Sequence, residues 1–321
     1  LTIALAMSAF TSNAYTNKRA WDASNSPRNF YQSWVGQLEE LPTEAKAAND
    51  AWSGYYWPHK FGGIGLRWDG ETNFQAPSAK RNPHNYKTPS QKDFSKMSFE
   101  QKMALSPAEK YDIANGRFDY PTVQREKQRT NPGHPLWFGI CEGWAAASVN
   151  FDEPHAFNLP LQDGQVLPFA SSDVKALLSY HESQFNAGPT PIVGQRCESN
   201  ALNSAACWDT NPATLHLVLG NHIGVLKKPF TMDVDQKPEV WNQPIFGYKS
   251  TISNKNGISP YAARGTVREV LVKTIVWYLQ ESAPYVNPLS TPIAQGVHYD
   301  YTLELDRNGE IIGGEWITTE R

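Results

Sequence analysis

Residues 135–149 read PLWFGICEGWAAASV, with a cysteine at the point where a loop becomes a helix. The preceding residues 131–135, NPGHP, are typical of a loop, and the small residues after Cys141 favour a helix. A helix N-terminus stabilises a thiolate, and its unpaired N–H groups can donate to an oxyanion. We therefore predict that Cys141 is an ionised nucleophile with a lowered pKa. The alternative is a small hydrophobic residue buried in the core.

Glycine and tryptophan residues flank this cysteine. Gly139 and Gly143 allow backbone or substrate to approach closely. Trp137 and Trp144 are expected to wall a narrow slot, and an indole N–H from either one can help to hold an oxyanion. The sequence therefore predicts a pocket around Cys141.

Length and charge limit the classes of function. The chain has 321 residues, which is enough for one large or two moderate domains. Its 29 Lys and Arg residues are balanced by 32 Asp and Glu residues, so no basic field favours a nucleic-acid partner. No stretch reaches the ~20 apolar residues that a membrane span requires. We expect neither a nucleic-acid partner nor a membrane span.

The N-terminus and the cysteines predict an exported protein. Residues 1–14, LTIALAMSAFTSNA, have the apolar run and small-residue ending of a secretory signal peptide, and we interpret them as its remnant. The alternative is a short buried helix. In an oxidising compartment, Cys197 and Cys207 are expected to form a disulfide across a polar loop. This pairing leaves Cys141 unpaired, which favours a reactive thiol, and the cysteine spacing predicts no metal site.

The order of the elements predicts an α+β fold. Residues 15–130 alternate between short helical segments and irregular aromatic-rich stretches. Residues 131–321 begin with the nucleophile helix and continue into strands, predicted at 230–235, 267–278, 299–305 and 310–318. This order is typical of papain-like cysteine enzymes, in which the nucleophile helix packs on a mostly antiparallel sheet. We predict a catalytic papain-like core over 131–321, after a mixed helical and irregular N-terminal portion.

A cysteine nucleophile needs a histidine as base and an acceptor that orients the imidazole. His216 is our first candidate because it lies in the apolar segment 214–220, where a buried imidazole needs a specific partner. The alternative is a core histidine that the backbone satisfies. Residues 215–219 are a candidate strand, although Asn211 and Pro212 can instead start a helix. His222 is the second choice for the base.

The acceptor is expected to come from the following strand. Asp233 is the first choice, because it reaches the histidine if residues 216–226 pair with residues 230–235. Asp235, on the same strand face, is the second choice. Asn242 is the remaining candidate.

Residues 240–249 read VWNQPIFGYK. The run Val240, Trp241, Asn242, Gln243 and Pro244 closely resembles the elicitor peptide of oomycete cell-wall transglutaminases, the transglutaminase-elicitor family with marine bacterial relatives. The resemblance extends to residues 139–141 and 211–216. It implies a papain-like core, a nucleophile at Cys141 and calcium-dependent activity, although the sequence itself shows no calcium-binding loop. Phe246 departs from the family, whose peptide has a basic residue there.

This resemblance implies a secreted enzyme that joins protein glutamine to protein lysine through a thioester on Cys141. Its partners are then proteins that supply glutamine and lysine side chains. Two alternatives stay open. One is a secreted papain-like cysteine peptidase or amidase, since water can replace the amine. The other is a non-catalytic, aromatic-rich recognition protein in which residues 240–249 form a displayed turn.

Overall fold

The structure is a computed structural model, and it describes residues 25–68, 79–185, 192–194, 210–234, 237 and 239–317. Three predictions fall outside these residues: the signal peptide at 1–14, the disulfide between Cys197 and Cys207, and the role of Asp235.

Helices occupy mainly the first two thirds of the described chain, and long strands occupy the last third. The helices are α1 Gln91–Phe94, α2 Phe99–Met103, α3 Pro107–Ala114, α4 Pro121–Arg129, α5 Cys141–Asn150, α6 Ser171–Gln184 and α7 Pro212–Val218, which continues as a π-helix, Leu219–Val225. The strands are β1 Glu44–Lys46, β2 Phe157–Pro160, β3 Val166–Phe169, β4 Phe230–Asp233, β5 Asn242–Asn254, β6 Arg268–Leu279, β7 Ala294–Leu305 and β8 Ile311–Trp316.

Six of the described strands form one antiparallel sheet. Its order is β1-β5-β6-β7-β8, and β4 pairs with the first residues of β5. Strands β2 and β3 form a separate hairpin. Helix α5 packs against β4, β5 and α6. The predicted α+β class and the antiparallel sheet are therefore confirmed, and the predicted helix α5 begins at Cys141.

The expected strand at residues 215–219 is wrong, and the helical alternative holds. Asn211 caps α7 by accepting a hydrogen bond from the backbone N–H of Ala213 at 2.9 Å, and Pro212 occupies the first helical position. Both features favour the start of a helix over a strand. Residues 216–225 are consequently helical, and β4 pairs with β5 instead of with them.

The segment 240–249 is part of the sheet, so the displayed turn expected there is wrong, whichever function the protein has. From Asn242 onward it forms β5, with β6 on one side. Along the other side, β4 pairs with residues 242–245 and β1 with residues 247–249. Half of its ten residues are buried, and Lys249 is exposed.

Two large hydrophobic clusters form the core. The first gathers aromatic residues of the N-terminal portion, such as Trp57 and Phe94, with Cys141 and Tyr180. The second joins Leu38 and Leu41 to α7 and the inner face of the sheet. Each cluster takes residues from both sides of the predicted boundary at residue 130. Cys141 therefore sits in a core that the N-terminal portion helps to build.

Gly143 allows α5 and α6 to pack closely. A Cβ at this position would overlap the backbone oxygen of Ser179 and crowd the side chain of Ser183 on α6. We expect Gly143→Ala to lower the free energy of unfolding by about 1–3 kcal/mol, because overpacking outweighs the better helix propensity of alanine. Urea unfolding monitored by circular dichroism measures the change.

The matched control is Ala146→Gly on the same helix, which reports the ordinary cost of a glycine, about 1 kcal/mol. A Gly143→Ala variant that is more stable than the wild type would contradict the close packing.

Candidate active site

The loop before α5 is fixed against the N-terminal portion. The backbone N–H of Ile140 donates to the carbonyl oxygen of Tyr56 at 2.8 Å, and the N–H of His59 donates to that of Phe138 at 2.7 Å. Gly139 lies directly on Tyr56, where a Cβ would overlap the tyrosine backbone oxygen. Gly139 therefore lets the loop pack directly against the backbone of Tyr56, and this packing fixes the position of Cys141.

The sulfur of Cys141 contacts three polar groups. Its thiol donates to the carbonyl oxygen of Val240 at 3.5 Å, and Nδ2 of Asn242 donates to the sulfur at 3.8 Å. Oε2 of Glu142 lies 4.0 Å from the sulfur, while Oε1 accepts a hydrogen bond from Ser183 at 2.7 Å. Two of these groups belong to the segment 240–249, so the structure brings that segment to the cysteine.

The ionisation of Cys141 is opposite to our prediction. Burial raises the pKa of the thiol to about 11, and the negative charges of Glu142 and Glu281 act in the same direction. Hydrogen bonds from Asn242 lower it, but by less than burial raises it. Only 5% of the residue is exposed, and desolvation of the thiolate is the largest cause of the raised pKa. In this structure the thiol is protonated at neutral pH.

The neighbours of Asn242 extend the site. The Trp241 ring packs edge-on against Tyr56, with 5.1 Å between the ring centroids. Nε2 of Gln243 donates to Oε1 of Glu281 at 2.9 Å. Burial raises the pKa of the Glu281 carboxyl, and the Gln243 hydrogen bond opposes this shift. Polar side chains thus extend from the sulfur through Asn242 to Glu281.

The structure does not bring His216 to Cys141. His216 is buried in the second core, where Nδ1 is hydrogen bonded to the Tyr301 hydroxyl at 2.8 Å. The bonding continues from Tyr301 to Thr274 at 2.8 Å and from Thr274 to Ser250 at 2.7 Å. Ser250 lies eight residues along β5 from Asn242, which corresponds to about 26 Å of strand. The candidate base and the candidate nucleophile therefore belong to different cores.

Of the other candidates, the structure brings Asp233 and Asn242 together. They are opposite each other in the β4–β5 pairing, next to the start of α5. His222 lies elsewhere, with Nδ1 hydrogen bonded to the Tyr31 hydroxyl at 3.1 Å.

The predicted tryptophan slot is not formed. Trp144 is fully buried beside Trp52, and its indole N–H donates to the Trp52 carbonyl oxygen at 3.3 Å. This indole N–H cannot donate to an oxyanion at Cys141, because the Trp144 side chain lies in a small separate core with Trp52 and Ala147. Trp137 is half-buried and packs against Phe138, with 5.0 Å between the ring centroids.

Three residues of the site were missed by the sequence analysis: Tyr56, Glu142 and Glu281. Glu142 is adjacent to the cysteine, so its position alone could have indicated it. Tyr56 and Glu281 come from segments far away in sequence, and their patterns carry no signal of the contact.

The described residues contain neither a cluster of side chains for a metal ion nor a helix that could span a membrane. No group of three or more His, Cys, Asp or Glu side chains there is arranged to hold a metal ion. Within the same residues, the helices are all too short or too polar to cross a bilayer.

Burial of His216 predicts that acid destabilises the protein. Burial lowers the pKa of the imidazole to about 4 from an ordinary value of 6.5, so the folded state binds its proton later than the unfolded state. The stabilisation is complete above pH 6.5 and is lost between pH 6.5 and 4, by about 3 kcal/mol. Urea unfolding at several pH values across this range measures the loss.

The variant His216→Gln should show a smaller loss of stability over this pH range, because its side chain does not titrate. His298→Gln is the matched control, since His298 is exposed on β7. Equal pH slopes for His216→Gln and the wild type would contradict the prediction. His59, whose pKa burial also lowers to about 4, adds to the total in all three proteins.

Comparisons with known proteins identify a matching protein family and a similar solved structure. Residues 27–321 match the family model described as "Transglutaminase elicitor". Among solved structures, the chain is similar to the GP42 transglutaminase from Phytophthora sojae, with a TM-score of 0.63 and 22% sequence identity. That match covers 94% of this chain and 88% of the other, and it shows a common fold. A comparison with curated proteins found no match.

Proposed function

Because the chain belongs to the transglutaminase elicitor family, we propose that it is a secreted transglutaminase that joins protein glutamine to protein lysine through a thioester on Cys141. The observation that carries the proposal is the contact of 3.8 Å between the Cys141 sulfur and Asn242, in the segment that resembles the elicitor peptide. The packing of α5 on an antiparallel sheet supports a papain-like arrangement of this core.

The first step forms a thioester. The sulfur attacks the carbonyl carbon of the glutamine side chain, the C–N bond breaks, and the thiol proton leaves with ammonia. Oε2 of Glu142, 4.0 Å from the sulfur, is placed to accept that proton before it passes to the leaving group. Free N–H groups at the start of α5 can donate to the oxyanion.

The second step forms the isopeptide bond. A lysine amine attacks the thioester carbonyl, the C–S bond breaks, and the sulfur recovers a proton from the amine. If water attacks instead, the product is glutamate. The aromatic pair of Trp241 and Tyr56 packs in the same hydrophobic cluster as Cys141. This supports the transfer, because apolar surroundings keep water from the thioester.

One observation favours a second candidate function, a non-catalytic recognition protein. Cys141 is buried, its pKa is raised, and no described histidine contacts it. In this case Cys141 is an ordinary core residue, and the chain shares the fold of the family without its catalytic activity.

Incorporation of a fluorescent primary amine into casein tests the proposal. The proposed function predicts labelled casein, with labelling blocked by prior treatment of the enzyme with iodoacetamide. Casein that is cleaved without labelling would identify a cysteine peptidase. Neither product, together with a thiol no more reactive than that of the denatured chain, would favour the recognition protein. Parallel reactions with Ca²⁺ and with EGTA test the calcium dependence, which we propose on the resemblance alone.

A further inference from the structure

The sulfur of Cys141 lies among hydrogen-bond acceptors and donors that act on its protonation in opposite ways. The carbonyl oxygen of Val240 accepts the S–H, which stabilises the neutral thiol. The side-chain amide of Asn242 donates to the sulfur at 3.8 Å, and the backbone N–H of the same residue also acts on it. Donors to sulfur stabilise the thiolate, so Val240 and Asn242 favour opposite protonation states.

Two carboxylates near the sulfur disfavour the thiolate. Glu142 faces the sulfur from α5, and Glu281 faces it from the segment after β6; both charges raise the pKa of the thiol. Asp233 lies on β4 opposite Asn242, and Tyr56 contributes a phenol from the N-terminal portion. Burial is the largest cause of the raised pKa, because it removes the thiolate from water. Asn242 is thus the neighbour whose contacts support ionisation.

We propose that Asn242 is the residue that enables Cys141 to act as a nucleophile, by donating its side-chain amide and its backbone N–H to the sulfur as the thiol proton leaves. The inference rests on the proposed transfer, since it assigns a role in that reaction. It differs from the role of an asparagine that orients a catalytic histidine, because Asn242 contacts the reacting sulfur directly. The proton itself goes to the base, and Asn242 exchanges none.

The rate of alkylation by iodoacetamide, measured against pH, tests this inference without any substrate. The near-isosteric variant Asn242→Leu removes the side-chain donor and keeps the backbone N–H. We expect its alkylation rate at pH 7 to fall about tenfold, with the midpoint of the profile about one pH unit higher. Asn242→Asp should fall further, because it adds a third negative charge to those of Glu142 and Glu281. Asn242→Ser, which keeps a short donor, should fall less than Asn242→Ala.

Asn254→Leu is the matched control, since Asn254 is exposed at the far end of the same strand and should keep the wild-type profile. Circular dichroism identifies any variant that fails to fold, and the comparison of the Ser and Ala variants then carries the test. Equal profiles for wild type and Asn242→Leu, or for the Ser and Ala variants, would overturn the inference. If wild type incorporates no amine but the profiles shift as expected, the proposed function fails, while the effect of Asn242 on the ionisation and reactivity of the thiol stands.

Discussion

Cys141→Ala is expected to reduce amine incorporation into casein by about 10³-fold or more, with the fold retained. The sulfur forms the covalent intermediate in the proposed reaction, and no other described cysteine can replace it. Alanine fits the space because Cys141 is the first residue of α5 and its side chain is small. The initial rate of labelling, at equal concentrations of folded protein, measures the effect.

Asn150→Ala is the control for this experiment, since Asn150 is exposed at the other end of α5 and should leave the rate unchanged. Cys141→Ser keeps the size and polarity of the side chain, and it should also be inactive because an alkoxide is far harder to form than a thiolate. If Cys141→Ala labels casein at more than a tenth of the wild-type rate, Cys141 is not the nucleophile.

The largest expected effect on stability comes from a buried ion pair between α3 and α6. Nζ of Lys110 on α3 lies 2.5 Å from Oδ2 of Asp173 on α6, and both side chains are fully buried. Asp173 also accepts hydrogen bonds from the indole of Trp68 at 3.0 Å and from the backbone of Ala170 at 2.7 Å. We expect Asp173→Ala to lower the free energy of unfolding by about 3–5 kcal/mol, because it leaves a buried lysine without its counter-charge.

Urea unfolding at pH 7 measures this change. The double variant Lys110→Met with Asp173→Ala should recover much of the loss, since no charge is then left buried. The matched control is Asp119→Asn, which breaks the exposed pair with Arg117 at 2.6 Å and should have no measurable effect. A double variant no more stable than Asp173→Ala would show that the hydrogen bonds, and not the charge, hold this part of the core.

Much of the fold follows from patterns that are local in sequence. The start of α5 at Cys141 comes from the contrast between a loop rich in Pro and Gly and the small residues after it. The β7–β8 hairpin is predicted by alternating residues around Asn308 and Gly309, where Gly309 adopts a φ of +81° that glycine tolerates at little cost. These features depend on residues a few positions apart, so the sequence can specify them.

Segment 215–219 shows where local patterns were ambiguous. Its apolar run fits either a strand or a buried helix, since periodicity does not separate short buried elements. The capping by Asn211 and the position of Pro212 decided the outcome. Because α7 is a helix, the His216 side chain lies against Tyr301 in the second core. The histidine expected to act as base is therefore not next to Cys141.

The sequence by itself determined the α+β class, the helix that begins with Cys141 and the segment that resembles an elicitor peptide, because each depends on neighbouring residues. Only the tertiary structure decided what surrounds the sulfur. Asn242 reaches Cys141 across 101 positions of the chain, and it does so because β5 passes the start of α5. Burial at that crossing, which no local pattern encodes, raises the pKa of the thiol and makes its ionisation depend on those distant contacts.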